Sequence, residues 1–424
     1  MTSLAPPTTD AAINKALALG LSIIATMGAF VEVGVLTFSI GAGSKFGYSL
    51  IWVIVIGAVG LIVYGEIAGR IAAVRREPLF ALIRSRDGFR SSLLTLLAFN
   101  CVTVLVCAAE IGGVALVWQL LSGWPYRWLI LLALLSLILV VWFTPMKWIQ
   151  RAFGMLALMM IVFVVAAAYL HPRWSQAAAS ALPNLPGFKS GRDGLLYAYS
   201  AVALLGSILL PYKTYVRASV AIDDKANAFG IASNRLLVVI GFALGALLSV
   251  SLLMIGADFF APRQIDPSLP GDAALATASL FGITGMLLAV GGMFFAFAGA
   301  AIANALSGAY NLAQLLGWRW GKGRRPRSAA RFASSWIALL CAAALIVLTG
   351  VDPVRVIEYS VILSVLILPF AYFPFLVIGA DRRIMGDHAS GKLVNALGGF
   401  YFVLVTLAAL AALPLFILTH GGQR

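Results

Sequence analysis

The chain has 424 residues, of which 62% are hydrophobic and only 11% are charged, and its formal net charge is +14. A soluble domain cannot carry so apolar a composition, because its surface must be polar enough to stay dissolved. The composition therefore excludes the soluble classes and predicts an all-α polytopic membrane protein, in which apolar runs of about 20 residues cross the bilayer as helices.

The chain opens with MTSLAPPTTDAAINK, which has no basic n-region and no small-residue cleavage site. This pattern indicates a short cytoplasmic tail and not a removable signal. Eleven apolar spans are predicted after it, from hydrophobic runs bounded by polar residues. They cover residues 14–42, 49–73, 92–121, 128–144, 150–170, 195–220, 230–256, 275–316, 332–350, 355–379 and 394–418.

Two of these spans are interrupted near their middle. Span one has Gly28 and Gly34 around Glu32, and span six has Pro211 within LLGSILLPYKTYVRASV. Proline removes a backbone donor and clashes with the preceding turn, so span six should break near Leu210–Pro211. Matched interruptions in two five-helix halves are typical of inverted-repeat transporters with a substrate site at mid-membrane.

The domain prediction follows from these matched halves. Residues 1–424 form one integral membrane transporter domain, with a first repeat at about 14–170, a second at about 195–379 and an extra helix at 394–418.

Basic residues concentrate in alternate loops. They are Arg70, Arg75, Arg76, Arg84, Arg86 and Arg90 after span two, Arg319, Lys322, Arg324, Arg325, Arg327 and Arg331 after span eight, and Arg382, Arg383 and Lys392 after span ten. The loop at 257–274 instead carries three aspartates and one arginine. The positive-inside rule predicts a cytoplasmic N-terminus and an outer C-terminus in the inner (plasma) membrane. The charge is thus a topology signal, with the lipid bilayer and not nucleic acid as partner, and a monomer is expected.

A carboxylate at mid-bilayer depth is costly, so Glu32 needs a partner or a functional role. The residues at the two breaks are the candidate substrate-binding residues: Glu32, Gly34, Ser207, Leu210, Tyr212 and Lys213. Two other interpretations of the position of the Lys213 side chain stay open. Its side chain could extend to the cytoplasmic interface, as could that of Arg217, or it could neutralise Glu32 within the pocket.

Four stretches, spread over essentially the whole chain, resemble a known family. They are AGSKFGYSLIWV (42–53), AEIGGVALVWQLL (109–121), LLGSILLPYKTYV (204–216) and FPFLVIGADRRIMG (373–386). Each is similar to the matching part of the NRAMP (natural resistance-associated macrophage protein) metal-ion transporters. The resemblance implies a LeuT-type fold of the APC superfamily, a 5+5 inverted repeat with broken helices 1 and 6 and eleven transmembrane helices.

The family's metal-binding motifs are altered, so the chain looks like a divergent member. The family's Asp-Pro-Gly-Asn corresponds to Glu32–Val35, and its Met-Pro-His corresponds to Leu210–Tyr212. Of two acids on the third helix, Glu110 is kept and Gly113 replaces the other, while Arg217 stands at the position of a second histidine. The resemblance implies proton-coupling roles for Glu32, Glu110 and Arg217.

The loss of sulfur, imidazole and amide donors argues against a transition-metal site. Together with Lys213 beside a helix break, it predicts a secondary-active, proton-coupled importer of a small organic solute, with a small carboxylate such as 5-oxoproline as the first to test. Pairing of Lys213 with Glu32 would favour a polar uncharged solute. The alternative is a divalent metal (Mn²⁺ or Mg²⁺) transporter of the NRAMP type with Glu32 as the metal ligand. No cofactor, catalytic residue or enzymatic activity is expected.

Overall fold

The computed structural model describes residues 20, 23, 26–28, 30–183, 187–188, 190–223, 231–321, 324 and 326–422. Ten helical segments within these ranges are long and apolar enough to cross a membrane. The all-α polytopic prediction is confirmed. The first predicted span lies partly outside the described residues, and its second half is the short helix Val33–Phe46.

The helices of the first half begin with α1 (Val33–Phe46), α2 (Ile51–Arg75), α3 (Leu79–Ser122) and α4 (Tyr126–Phe143). They continue with α5 (Met146–Ala157), the 3-10 turn Leu158–Met160, α6 (Ile161–Tyr169) and the short α7 (Trp174–Ala179). Two helices, α5 and α6, thus build the fifth predicted span.

The helices of the second half begin with α8 (Gly191–Ile208), α9 (Tyr212–Asp223) and α10 (Ile231–Ile255), which runs on through the π-helix Gly256–Phe260 and the 3-10 turn Ala261–Arg263. They continue with α11 (Asp272–Leu316), the 3-10 turn Pro326–Ala329, α12 (Ala330–Leu348) and α13 (Pro353–Ala380). The chain then forms α14 (Arg382–Met385), the 3-10 turn Gly386–His388 and α15 (Lys392–Leu418).

Both predicted interruptions are present. In span one, residues 26–28 are helical, Glu32 has an extended backbone (φ −124°, ψ 178°) and α1 starts directly after it. In span six, α8 ends at Ile208 and α9 begins at Tyr212, because Pro211 cannot donate the hydrogen bond that would continue the helix. The two breaks lie close together, because Lys213 donates to backbone carbonyls of both spans.

The segment between spans two and three differs from the prediction. It was expected to be a loop, but α3 begins at Leu79 and bends at Gly88, where the backbone adopts φ 78° and ψ 168°. Only glycine takes this conformation without strain. The part of α3 before the bend buries Leu79, Phe80 and Ile83 against the bundle, so apolar packing outweighs the arginines in this segment.

A close backbone approach holds α1 against the end of α10 and the π-helix that follows it. A Cβ atom added at Gly43 would lie 1.9 Å from the carbonyl oxygen of Leu253, and one added at Gly256 would lie 2.2 Å from that of Ile40. Small residues permit such contacts between membrane helices. The contact fixes the position of α1 and therefore of the break that precedes it.

Polar contacts close the end of the bundle where α1 ends. Lys45 Nζ lies 3.4 Å from Asp266 Oδ2, and the hydroxyl of Tyr48 donates to Asp258 Oδ2 at 2.5 Å. Burial, with the hydrogen bond to Asp258, raises the pKa of Tyr48 to about 12. The hydroxyl therefore stays protonated near neutral pH and keeps donating.

Candidate functional site

Glu32 joins the two interrupted spans. Its side chain is fully buried, and its Oε2 accepts a hydrogen bond from the Tyr212 hydroxyl at 2.8 Å. Its Oε1 lies 3.7 Å from Nζ of Lys213. Tyr212 and Lys213 are the first two residues of α9, so the break in span six places both side chains on the carboxylate of span one.

Lys213 reaches back across the break in span six. Its ammonium donates to the carbonyl oxygens of Phe30 at 3.1 Å, Ser207 at 3.1 Å and Ile208 at 3.3 Å. The residue is 4% exposed. The side chain of Lys213 therefore does not extend to the membrane interface, and it lies beside Glu32 as an ion pair.

Glu110 enters the same region from α3. Its Oε1 accepts the backbone N–H of Val33, the first residue of α1, at 3.2 Å. The first N–H groups of a helix lack intrahelical partners, and a carboxylate there is favoured by the helix dipole. Glu110 thus caps α1 next to Glu32, although 77 residues separate it from Val33.

Each of these carboxylates retains one oxygen without a hydrogen-bond partner. Glu32 Oε1 and Glu110 Oε2 are buried, and no donor among the described residues reaches either within hydrogen-bond distance. Buried polar atoms in native proteins nearly always have a partner, and a carboxylate oxygen is satisfied by a hydrogen-bond donor, a proton or a cation. The region between the breaks is therefore suited to a positively charged group.

The other predicted binding residues lie at the same place. Ser207 offers its carbonyl, since its hydroxyl donates to Leu204 O in its own helix at 2.9 Å. Gly34 packs on α8, where an added Cβ would lie 3.4 Å from Cβ of Ser207. Leu210 lines a small cavity together with Tyr212.

Arg217 lies apart from Glu32. Its Nη1 donates to the Thr26 hydroxyl at 2.8 Å, and its side chain is partly buried. The arginine thus ties α9 to the first half of span one and does not contact the carboxylates.

Sequence reasoning missed four buried polar side chains on α11, which we call the α11 polar row. They are Asn304, Ser307, Asn311 and Gln314. Their spacing of three, four and three residues places them on one helix face, and this spacing could have revealed them. Asn304 lines the cavity beside Tyr212, and Gln314 donates to the Ser219 hydroxyl near the end of α9 at 2.9 Å.

The atoms available at the two breaks determine which kind of ion could bind there. The described ranges contain no group of three or more histidine, cysteine, aspartate or glutamate side chains that lie close enough together to hold a metal ion. A cation here would therefore be bound by carboxylate oxygens together with backbone carbonyls, which are hard donors. Val35 stands where the family motif has an amide, and Tyr212 stands where it has an imidazole. Neither side chain supplies the amide oxygen or the imidazole nitrogen that would bind a metal ion there.

Comparison with known proteins supports the resemblance. The chain is 25% identical over 403 residues to the divalent metal cation transporter MntH of Ralstonia nicotianae. The alignment covers 92% of this chain and 89% of the relative. It is 24% identical over 404 residues to the MntH of Deinococcus radiodurans, covering 91% and 87%.

Solved structures share the fold. A manganese transporter of Eremococcus coleocola, in complex with an aromatic bis-isothiourea substituted compound, superposes with a TM-score of 0.77 at 19% identity, covering 96% of this chain and 88% of that one. Mhp1, a nucleobase-cation-symport-1 family transporter, superposes in its closed conformation with a TM-score of 0.55 at 15% identity, covering 95% and 91%. The predicted LeuT-type fold is confirmed.

The predicted importer of an organic solute is wrong. The relatives are named as divalent metal cation transporters, which supports the alternative hypothesis of a divalent metal transporter. The physical reason lies in Lys213, whose ammonium is already held by carbonyls and Glu32 and does not present a free positive charge to a substrate carboxylate. The family model for natural resistance-associated macrophage protein-like proteins matches residues 23–414, so the chain is a multi-pass membrane protein that belongs to this family.

Proposed function

We propose that the chain transports a divalent metal cation across the membrane and binds it between the two helix breaks. The observation that carries the proposal is the pair of buried carboxylates, Glu32 and Glu110, each with one oxygen that accepts no hydrogen bond from the described residues. Three backbone carbonyls surround the Lys213 ammonium, which lies 3.7 Å from Glu32 Oε1. The names of the relatives support the same substrate class. Manganese is the first ion to test, with magnesium as the second.

The test is uptake by purified protein in liposomes loaded with a metal-sensitive dye. Mn²⁺ should enter protein-containing vesicles and not empty ones, and an inward proton gradient should accelerate entry if transport is secondary-active and proton-coupled. The coupling roles predicted for Glu32, Glu110 and Arg217 stay predictions until that comparison is made. Equal dye signals with and without protein, for both Mn²⁺ and Mg²⁺, would refute the metal function.

We infer that the α11 polar row lines the route between the site and the end of the bundle where α9 ends. In the described part of the chain, Ser307 Oγ and both side-chain polar atoms of Asn311 are buried without a hydrogen-bond partner. A hydrated ion passing along this face would interact with them.

Replacing Asn311 by leucine (Asn311→Leu) should slow Mn²⁺ uptake roughly tenfold, the effect of about 1.4 kcal/mol on a barrier, with little change in Mn²⁺ affinity. The matched control is Asn395→Leu, because Asn395 is exposed on α15 and its side chain donates to Ser390 O, away from the α11 polar row. Uptake by Asn311→Leu at the wild-type rate would contradict the route.

We also propose the orientation predicted from the basic loops, with the N-terminus in the cytoplasm. Exposed Arg327 and exposed Gln264 should then lie on opposite sides of the membrane. In a variant lacking Cys101, Cys107 and Cys341, Gln264→Cys should react with an impermeant maleimide in intact cells, and Arg327→Cys only after permeabilisation. The reverse labelling pattern would invert the topology.

A further inference from the structure

The carbonyls around Lys213 belong to the interrupted backbone of both spans. Phe30 precedes Glu32 in the break of span one, whereas Ser207 and Ile208 are the last two residues of α8. The final carbonyls of a helix lack intrahelical partners and carry the negative end of its dipole, so they attract a cation. Both breaks therefore direct oxygen atoms toward one point.

The Lys213 nitrogen lies at that point. Three carbonyl oxygens are 3.1, 3.1 and 3.3 Å from it, and Glu32 Oε1 is 3.7 Å away. The ring of Phe30 adds a further favourable contact, with its centroid 5.3 Å from Nζ. An ammonium has three donors and no acceptor, so these oxygens fit it as they would fit a small cation.

The same oxygens are the ones that a substrate cation needs. The described ranges hold no group of three or more His, Cys, Asp or Glu side chains that could hold a metal ion, so a dication at Glu32 would draw on these backbone carbonyls. Two positive charges a few ångströms apart in a poorly solvated region repel strongly. The ammonium and a dication therefore cannot use these oxygens at the same time.

We propose that the Lys213 ammonium is an internal cation that occupies the substrate-cation site at rest and must be displaced before a metal ion binds. Lys213 thereby determines the affinity and the specificity of the site, since only a cation that binds Glu32 and the carbonyls better than the ammonium can enter. The inference rests on the proposed function, because it takes the substrate to be a cation.

The first test measures Mn²⁺ binding by flow dialysis of purified protein at a single pH. Lys213→Met, which keeps the length of the side chain without its charge, should bind Mn²⁺ roughly tenfold or more tightly than wild type. Lys45→Met is the matched control and should leave the affinity unchanged, because Lys45 pairs with Asp266 away from the breaks. Adding Glu32→Gln to Lys213→Met should abolish the gain.

An affinity of Lys213→Met equal to or weaker than that of wild type would overturn the internal-cation role while leaving metal transport intact. Loss of the gain in the double variant supports a shared site, whereas its persistence would place the metal elsewhere and overturn the proposal.

The second test does not depend on a divalent metal. In Lys213→Ala, n-propylammonium replaces the part of the side chain that was removed, so it should raise the thermal stability of this variant in a concentration-dependent manner. Wild type should not respond, and tetramethylammonium, which has no N–H donor, should stabilise neither protein. Absence of stabilisation by n-propylammonium would overturn the proposal, even if wild type transports Mn²⁺. Stabilisation without Mn²⁺ binding by any variant would show that these oxygens hold an ammonium, but it would contradict the metal function and with it the displacement of Lys213 by a metal ion.

Discussion

Glu32→Gln is expected to reduce Mn²⁺ uptake to the background of empty liposomes. The substitution keeps the shape of the side chain and removes its charge, and the Tyr212 hydroxyl can still donate to the amide oxygen at the position of Oε2. Attraction between unit charges about 4 Å apart is worth about 4 kcal/mol at an effective dielectric constant of 20, which corresponds to a loss of roughly a thousandfold. Dye-loaded proteoliposomes measure the loss directly.

Two controls separate lost ion binding from lost folding. Glu77→Gln removes an exposed carboxylate that pairs only with Arg75 within the described part of the chain, and it should transport at the wild-type rate. Glu32→Gln leaves the Lys213 ammonium with less compensation, so its melting temperature should be compared with that of Glu32→Gln combined with Lys213→Met. Uptake above background by a folded Glu32→Gln protein would exclude Glu32 as the cation ligand.

Local chemistry made the two breaks predictable from sequence. Pro211 cannot continue a helix, and a glutamate beside glycine in an apolar run indicates an interruption, so the residues nearest the site were identified. The carbonyl contacts of Lys213 and the cap that Glu110 places on Val33 were not predictable, because they depend on how distant helices pack.

Charge and hydropathy patterns misled the prediction at two places. The arginines after span two suggested a loop, although α3 already begins at Leu79 because its apolar residues are buried. The α11 polar row was overlooked because 275–316 is strongly apolar on average, and only the spacing of its four polar residues distinguishes that face.

Gly43→Ala should prevent stable folding or destabilise the protein by more than about 3 kcal/mol, beyond the usual 1–3 kcal/mol for overpacking. The added Cβ would lie 1.9 Å from Leu253 O and 3.0 Å from the backbone nitrogen of Ala257. Both neighbours are backbone atoms, so no side-chain rotation relieves the clash, and α1 has to move away from the π-helix. Thermal unfolding followed by size-exclusion chromatography in detergent measures the effect.

The matched control is Gly41→Ala in the same helix. Its Cβ would lie 3.7 Å from Pro267 O, an ordinary contact, and alanine is favoured over glycine in a helix by about 1 kcal/mol. This variant should be at least as stable as wild type. A melting temperature of Gly43→Ala equal to that of Gly41→Ala would show that α1 does not pack as closely as described.

Two tyrosine hydroxyls form hydrogen bonds that connect α13 with span six, and the two bonds run in opposite directions. Tyr372 of α13 donates to Leu209 O in the break at 2.8 Å, and Tyr215 of α9 donates to Ala371 O of α13 at 2.7 Å. If either helix tilts alone, a buried tyrosine hydroxyl loses its hydrogen-bond acceptor, which costs about 1–3 kcal/mol. Conformations in which only one helix has moved are then roughly 5 to 150 times rarer than those in which both have moved. We therefore expect α9 and α13 to move together, so that conformations in which only one of them has moved are rare.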